Sequence, residues 1–314
     1  MSSFDQYRDL RDRAAWVERR DLGRLRLHGS DRRSYLHGLV TNDVESLAPG
    51  TGVYAAILTA QGRMISDMHV YELGDAVIVL LPRALAAAMR DRLEQFIFSE
   101  DVQVEDVTDS TIQLGVYGPS AGEAVQPLRD GGFGVVLPSR GSGIDGFEAI
   151  APRDRSAAMI LALEAAGASR ADIETLEVVR VESGVPRFLA DMNDATIPLE
   201  AGIEARAISM TKGCYPGQEV IVRVLHRGGG RVARKLVGVA LPEGLDAPVP
   251  GALLHVDARE VGSLTSVVKS WRLGRPIALA YVHRDFATPG TRVDVGALDG
   301  TRVPGKVQAL PFVT

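Results

Sequence analysis

Along the first half of the chain, short runs of alternating apolar and polar residues are interrupted by stretches with helical spacing. Residues 53–58 and 64–73 read as two strands joined through Thr59-Ala60-Gln61-Gly62, where glycine tolerates the positive φ of a tight turn. Residues 76–81 form a third apolar run, followed by Pro82 at a first helical position. The spacing of Leu85, Met89, Leu93 and Phe96 or Ile97 then predicts a helix to about Phe98. Upstream, Ser30 or Asp31 caps a helix through Val40, because a short side-chain oxygen satisfies the free N–H groups of a first turn. A second cycle has strands at 102–107 and 112–117, a short helix at 119–128, and strands at 134–137 and 146–150. Helices at 155–166 and 172–182 complete it. Without a steady βαβ alternation, this pattern predicts an α+β fold.

After Gly228-Gly229-Gly230 the pattern shifts to valine, glycine and proline. Short alternating runs at 234–241, 252–256, 262–270 and 277–283 predict a small antiparallel β-barrel. The expected division is therefore 1–230 and 231–314. No solenoid repeat and no low-complexity tail interrupts it.

Composition narrows the function. The 314 residues are 46% hydrophobic and 24% charged, with a net charge of −5, so no overall basic excess points to nucleic acid. One cysteine excludes an intrachain disulfide and a cysteine-rich metal site, and fits a reducing compartment. Residues 1–20 carry Asp5, Asp9, Asp12 and Glu18 without an apolar stretch, which argues against an export signal. The most apolar run, 76–89, is broken by Pro82 and Arg83 and is shorter than the roughly 20 residues that cross a bilayer. A cytoplasmic protein without membrane contact is expected.

The single cysteine, Cys214, lies between Lys212 and Pro216. Residues 218–225 read as helix or strand, because Val220, Ile221, Val222 and Val224 are β-branched. If helical, the N-terminal N–H groups and Lys212 both favour a thiolate at Cys214. Alternatively Cys214 is a small buried hydrophobe. One thiolate cannot hold an iron–sulfur cluster, which takes about four ligands.

The octapeptide Lys212-Gly213-Cys214-Tyr215-Pro216-Gly217-Gln218-Glu219 resembles the signature of the YgfZ family. The resemblance implies tetrahydrofolate binding and a part in assembling or repairing iron–sulfur clusters of client enzymes, with Cys214 and Lys212 as the reactive pair. That family shares its fold with the glycine-cleavage T-protein, a folate-dependent aminomethyltransferase. A GcvT-like cloverleaf of three lobes around a central channel is thereby implied, the first lobe discontinuous and the last the barrel.

Four further segments resemble that superfamily: 36–44 with Thr41-Asn42-Asp43, 62–70 with Asp67, 145–148 with Glu148, and 176–184 with Arg180. In the resemblance, Asp67 lies near the reactive nitrogens of folate, Glu148 in the pterin-binding segment, and Arg180 on a folate-contacting helix. Glu148 suits a pterin edge, whose adjacent N–H donors a carboxylate accepts in pairs. Arg180 has a fork that pairs with a carboxylate or orients Glu148. Asp67 shares a strand face with Ile65 and His69. The plainer alternatives are solvent-facing Asp67 and His69, a surface Glu148, and an Arg180 bonded to Glu177 or Asp172.

The basic cluster Arg223, His226, Arg227, Arg231, Arg234 and Lys235 suits the polyglutamate tail of folate, an acidic partner, or simply a solvated face. It lacks interleaved aromatics, which argues against single-stranded nucleic acid. Two other functions compete with cluster repair. One is aminomethyl transfer using Asp67, although Arg63 and Ser66 replace the second glycine and first aspartate of the T-protein motif. The other is a non-catalytic folate- or RNA-binding module.

Overall fold

A capping box opens the chain: Ser2 Oγ accepts the Asp5 N–H while the Asp5 carboxylate accepts the Ser2 N–H, starting the helix Ser3–Asp12. The computed structural model describes residues 1–227, 229–296 and 301–313. Its strands are β1 Ala15–Glu18, β2 Leu22–His28, β3 Gly52–Leu58, β4 Met64–Glu72, β5 Ala76–Pro82, β6 Gln103–Asp106, β7 Thr111–Tyr117, β8 Val135–Ser139, β9 Gly146–Pro152 and β10 Ser169–Arg170. They continue as β11 Arg234–Ala240, β12 Leu253–Val256, β13 Arg259–Ser270, β14 Arg275–His283, β15 Arg292–Gly296 and β16 Arg302–Gln308.

The chain forms two compact units, Met1–Leu176 with Ala205–Gln218, and Glu177–Glu204 with Glu219–Thr314. In the first, two sheets run in the orders β3-β4-β5-β2-β6 and β10-β1-β7-β9-β8. β5 is apolar throughout because both its faces are covered. Val77, Val79 and Leu81 pack with Leu25 and Leu27 of β2 against Leu36 of the helix Arg32–Leu39 and Met89 and Leu93 of the helix Ala86–Glu94. Ile78 and Leu80 on its other face meet Tyr71, Leu137 and Ile150, the last two from the second sheet. The far side of that sheet carries Trp16, Leu114 and Val116 against Met159 and Leu163 of the helix Ser156–Ala165. Each such side chain contributes about 1.5–3 kcal/mol when fully buried. Polar residues of β4, β7 and β9 on the inner faces are therefore enclosed between two sheets.

In the second unit, β11-β14-β13-β12-β15-β16 close into an antiparallel barrel, with β11 pairing β16. Val237, Val239, Leu254, Leu264, Ala280 and Val295 fill it. Valine and small residues at alternating positions suit a narrow barrel interior.

The element pattern departs from the sequence expectation in identifiable places. The helix expected to reach Phe98 stops at Glu94, and Glu100 accepts the N–H groups of Phe98 and Ser99, leaving Phe98 84% exposed. Pro82 ends β5, and a 3₁₀ turn over Arg83–Leu85 precedes the helix. The helix expected at 119–128 is two short pieces, Ala121–Ala124 and Gln126–Asp130. Pro138 is accommodated within β8 because β8 is an edge strand. Gly228 of the expected boundary lies outside the described residues.

Candidate functional site

Alternation along β7 places Gln113, Gly115 and Tyr117 on one inner face, and strand register sets Glu148 of β9 opposite Gly115. Glu148 is buried at 2% exposure and is held by protein donors. Its Oε1 accepts from Tyr117 OH at 2.6 Å, Ser139 Oγ at 3.1 Å and Arg19 Nη1 at 3.4 Å. Its Oε2 accepts from Gln113 Nε2 at 2.8 Å. A Cβ at residue 115 would come within 2.2 Å of the Tyr117 hydroxyl, so glycine is what lets this tyrosine fold back onto Glu148. Arg19 also donates to Tyr117 OH at 2.6 Å and forks onto Asp21 through two 2.9 Å bonds. Burial opposes its charge, yet the carboxylates of Asp21 and Glu148 hold its guanidinium well above its ordinary pKa. A buried carboxylate is tolerated only with such compensation.

The expected face of β4 is present, and Asp67 and His69 are half-buried on it rather than solvated. Tyr54 OH donates to Asp67 Oδ2 at 2.8 Å. The His69 ring lies between Tyr54, 5.0 Å away between centroids, and Tyr71, 6.4 Å away and nearly parallel at 19°. Arg206 lies over the Tyr54 ring at 4.5 Å. Burial, with Arg206 and Arg19 adding, lowers the His69 pKa to about 3, so the imidazole is neutral at ordinary pH. A Cβ at Gly141 would come within 2.8 Å of His69 Nε2, and the Gly141 N–H donates to the Ser139 Oγ that bonds Glu148. The Asp67 and Glu148 clusters thus adjoin through residues 139–141.

The octapeptide is anchored to the same unit. Thr41 Oγ1 donates to Ala207 O at 2.6 Å and accepts the Ala56 N–H, while Asn42 Nδ2 donates to Tyr54 O and Arg206 O. Lys212 Nζ donates to Val40 O at 2.6 Å and to His37 O, carbonyls at the C-terminal end of the helix Arg32–Leu39. Burial lowers the Lys212 pKa to about 8, opposed by Asp43 and Glu45. The ammonium expected to activate the thiol is therefore engaged by a helix end. Gly217, at φ +83°, would place a Cβ 2.4 Å from Thr59 O, so the octapeptide is seated on the β3–β4 turn. Cys214 is exposed, which answers the buried-hydrophobe alternative. The β-branched run is helical, but that helix starts only at Gln218 and is short, Gln218–Val222, before a π-helical turn over Arg223–Arg227. Among the described residues, no three of His, Cys, Asp and Glu converge to hold a metal ion.

Arg180 belongs to the second unit, where its five N–H groups are all engaged. They reach Glu177 at 2.8 and 2.6 Å, Asp191 Oδ2 at 2.8 Å, Ser266 Oγ at 2.7 Å and Val185 O. Glu177, one of the two helix partners expected, is thus found, whereas the guanidinium beside Glu148 is that of Arg19. Asp191, fully buried, also accepts from Arg187 N–H and Thr265 Oγ1. In the basic cluster, Arg234 is bonded to Glu200 and lies over Tyr281, while Arg223, His226 and Arg231 are exposed. Arg19, Tyr54, Gln113, Tyr117, Ser139, Asp191 and Arg206 escaped the sequence reading. Only the Gln-x-Gly-x-Tyr spacing at 113–117 carried a local signal for any of them.

Two family models match this chain. Residues 3–133 match the GCVT N-terminal domain and residues 234–314 the glycine cleavage T-protein C-terminal barrel domain. The chain is 27% identical to an aminomethyltransferase of Geobacillus kaustophilus, over 98% of this chain and 89% of the relative. It is 28% identical to one of Rubrobacter xylanophilus, over 98% and 85%. The crystal structure of glycine cleavage system aminomethyltransferase T from Bartonella henselae superposes with a TM-score of 0.86 at 20% identity, covering 99% of this chain and 90% of that one. That structure has the same fold. No described helix is long and apolar enough to cross a membrane. The N-terminal domain match followed by the barrel match places this chain in the GcvT-like superfamily.

Proposed function

We propose that the protein binds tetrahydrofolate between the two sheets of its first unit and works as an aminomethyltransferase-like folate protein in the cytoplasm. The observation that carries this reading is Asp67, a half-buried carboxylate fixed by Tyr54 and bordered by the Tyr54, His69 and Tyr71 rings. The residues present fit the cofactor. Flat rings suit a pterin, and Glu148 Oε2, with one donor among the described residues, retains acceptor capacity for its N–H edge. Bound tetrahydrofolate would supply nitrogens that accept a one-carbon unit. Asp67 would hold the proton or developing positive charge at such a nitrogen, where a fixed carboxylate in an enclosed site is most effective. Neutral His69 and the rings would exclude water. Arg180, its donors committed, would hold the 187–191 loop in place rather than touch the ligand. The names of the relatives, matched over nearly the whole chain, support this reading.

A second reading is favoured by the octapeptide: folate-linked assembly or repair of iron–sulfur clusters, with Cys214 meeting a cluster or client protein. Its support is the exposure of Cys214 on an anchored segment, together with Arg63 and Ser66 in place of the T-protein residues. Two measurements separate the readings. Ammonia released from an aminomethyl-lipoyl carrier in the presence of tetrahydrofolate, and abolished in Asp67→Asn, supports aminomethyl transfer. No release, with lost iron–sulfur enzyme activity in cells carrying Cys214→Ala, supports cluster service.

A further inference from the structure

Arg24 of β2 is 2% exposed, and among the described residues its donors go to neutral oxygens rather than to a carboxylate. It reaches Thr111 Oγ1 at 2.7 Å, Leu22 O at 3.2 Å, Thr108 O, and Gln113 Oε1 at 3.2 Å. Gln113, also 2% exposed, gives its Nε2 to Glu148 Oε2 at 2.8 Å. A guanidinium has no acceptor, so Gln113 must turn its carbonyl oxygen towards Arg24 and its amide N–H groups towards Glu148. Without Arg24 the Gln113 oxygen loses its charged donor in a dry space, and the amide is held from the Glu148 side alone.

We propose that Arg24 is a positioning residue for ligand recognition, acting through Gln113 to fix the orientation and acceptor pattern of Glu148. The inference rests on the folate reading and deepens it. Glu148 Oε1 is occupied by Tyr117, Ser139 and Arg19, whereas among the described residues Oε2 has only the Gln113 donor. The relay holds that one donor in place and leaves Oε2 turned to accept from a ligand carrying adjacent N–H groups, as an amino-pyrimidinone edge does. The charged and titratable groups facing this pair are Arg24, Arg19, Asp21, Tyr117 and Tyr71. Arg83, Arg153, Asp106 and Asp109 lie beyond Arg24. His69, neutral down to about pH 3, does not titrate between pH 6 and 8.

The test is calorimetric titration with 5-formyltetrahydrofolate at pH 6 and pH 8. Glu148→Ala should weaken binding relative to the unaltered protein, which establishes the reading on which the relay rests. Gln113→Glu keeps the shape and the bond to Arg24 but sets a second carboxylate against Glu148, so one proton must be shared for the contact to survive. It should bind at least tenfold more weakly than the unaltered protein at pH 8 and within about threefold of it at pH 6. That pH dependence reports the contact of residue 113 with Glu148, and the two Arg24 variants report the relay behind it. Arg24→Lys, which keeps a charged donor, should stay within about threefold of the unaltered protein, and Arg24→Gln, which replaces it with a neutral amide, should lose about tenfold. Unaltered affinity of Gln113→Glu at both pH values would overturn the relay and leave the folate site standing. No binding by the unaltered protein would overturn the folate reading itself.

Discussion

Lys212 was expected as a partner of the Cys214 thiol, and the bonds its ammonium makes run to a helix end, as an anchor's would. Lys212→Ala removes two charge-assisted bonds to the last carbonyls of the helix Arg32–Leu39. Such bonds are worth about 1.5–3 kcal/mol each, and the favourable position of a cation at a helix C-terminus adds about 0.3–1 kcal/mol. Burying the ammonium, the same effect that lowers its pKa to about 8, offsets a large part. A net loss of about 2–3 kcal/mol remains. For a unit of this size that lowers the thermal midpoint by about 4–12 °C. Differential scanning calorimetry measures the loss, and the rate of Cys214 with a disulfide reagent, recorded well below the midpoint, measures the thiol. The anchor role predicts a lowered midpoint with a thiol rate within about threefold of the unaltered protein. An unchanged midpoint with a thiol rate reduced tenfold or more would refute it and restore Lys212 as the activating cation.

Three further substitutions probe the enclosed clusters. Gly115→Ala drives a Cβ into the buried Tyr117 ring and pulls its hydroxyl from Glu148. A loss of about 3 kcal/mol or more in urea unfolding is expected from overpacking and the broken bond together. Asp191→Ala leaves Arg180 short of one buried partner, and about 3–5 kcal/mol of stability should be lost by the same measurement. His69 has a folded pKa of about 3, below the 6.5 of the unfolded chain, so the unfolded state binds the extra proton. Its contribution is complete above pH 6.5 and is lost as pH falls from 6.5 towards 3. His69→Gln should remove about 2 kcal/mol of the stability difference between pH 7 and pH 4.5.

The strands around Asp67 were legible because β4 and much of β13 alternate, while β3, β11 and β14 are short apolar runs bounded by glycine, proline or charged residues. The helix Ser3–Asp12 and β1 were hidden: the helix is mostly polar, and only the Ser2–Asp5 pair marks its start. β15 and β16 were hidden by brevity and by exposed arginines and lysine among their buried valines. Glu148 and Asp67 could be singled out as acids on strands, but their partners could not. Arg19 lies 129 residues from Glu148, and Arg24 lies 89 from Gln113. Such pairings come from the stacking of two sheets, which no local pattern encodes. The role of Lys212 was obscured for the same reason, since its acceptors lie 172 and 175 residues away.

On the proposed function, the Asp67 site takes a folate. Titration calorimetry with 5-formyltetrahydrofolate measures it most directly, comparing the unaltered protein with Asp67→Asn and Tyr54→Phe. Saturable binding at one site is expected, weakened about tenfold in each variant, as loss of a charged hydrogen bond or of the group that fixes it requires. Absence of binding to the folded protein, or equal affinity in all three, would contradict it.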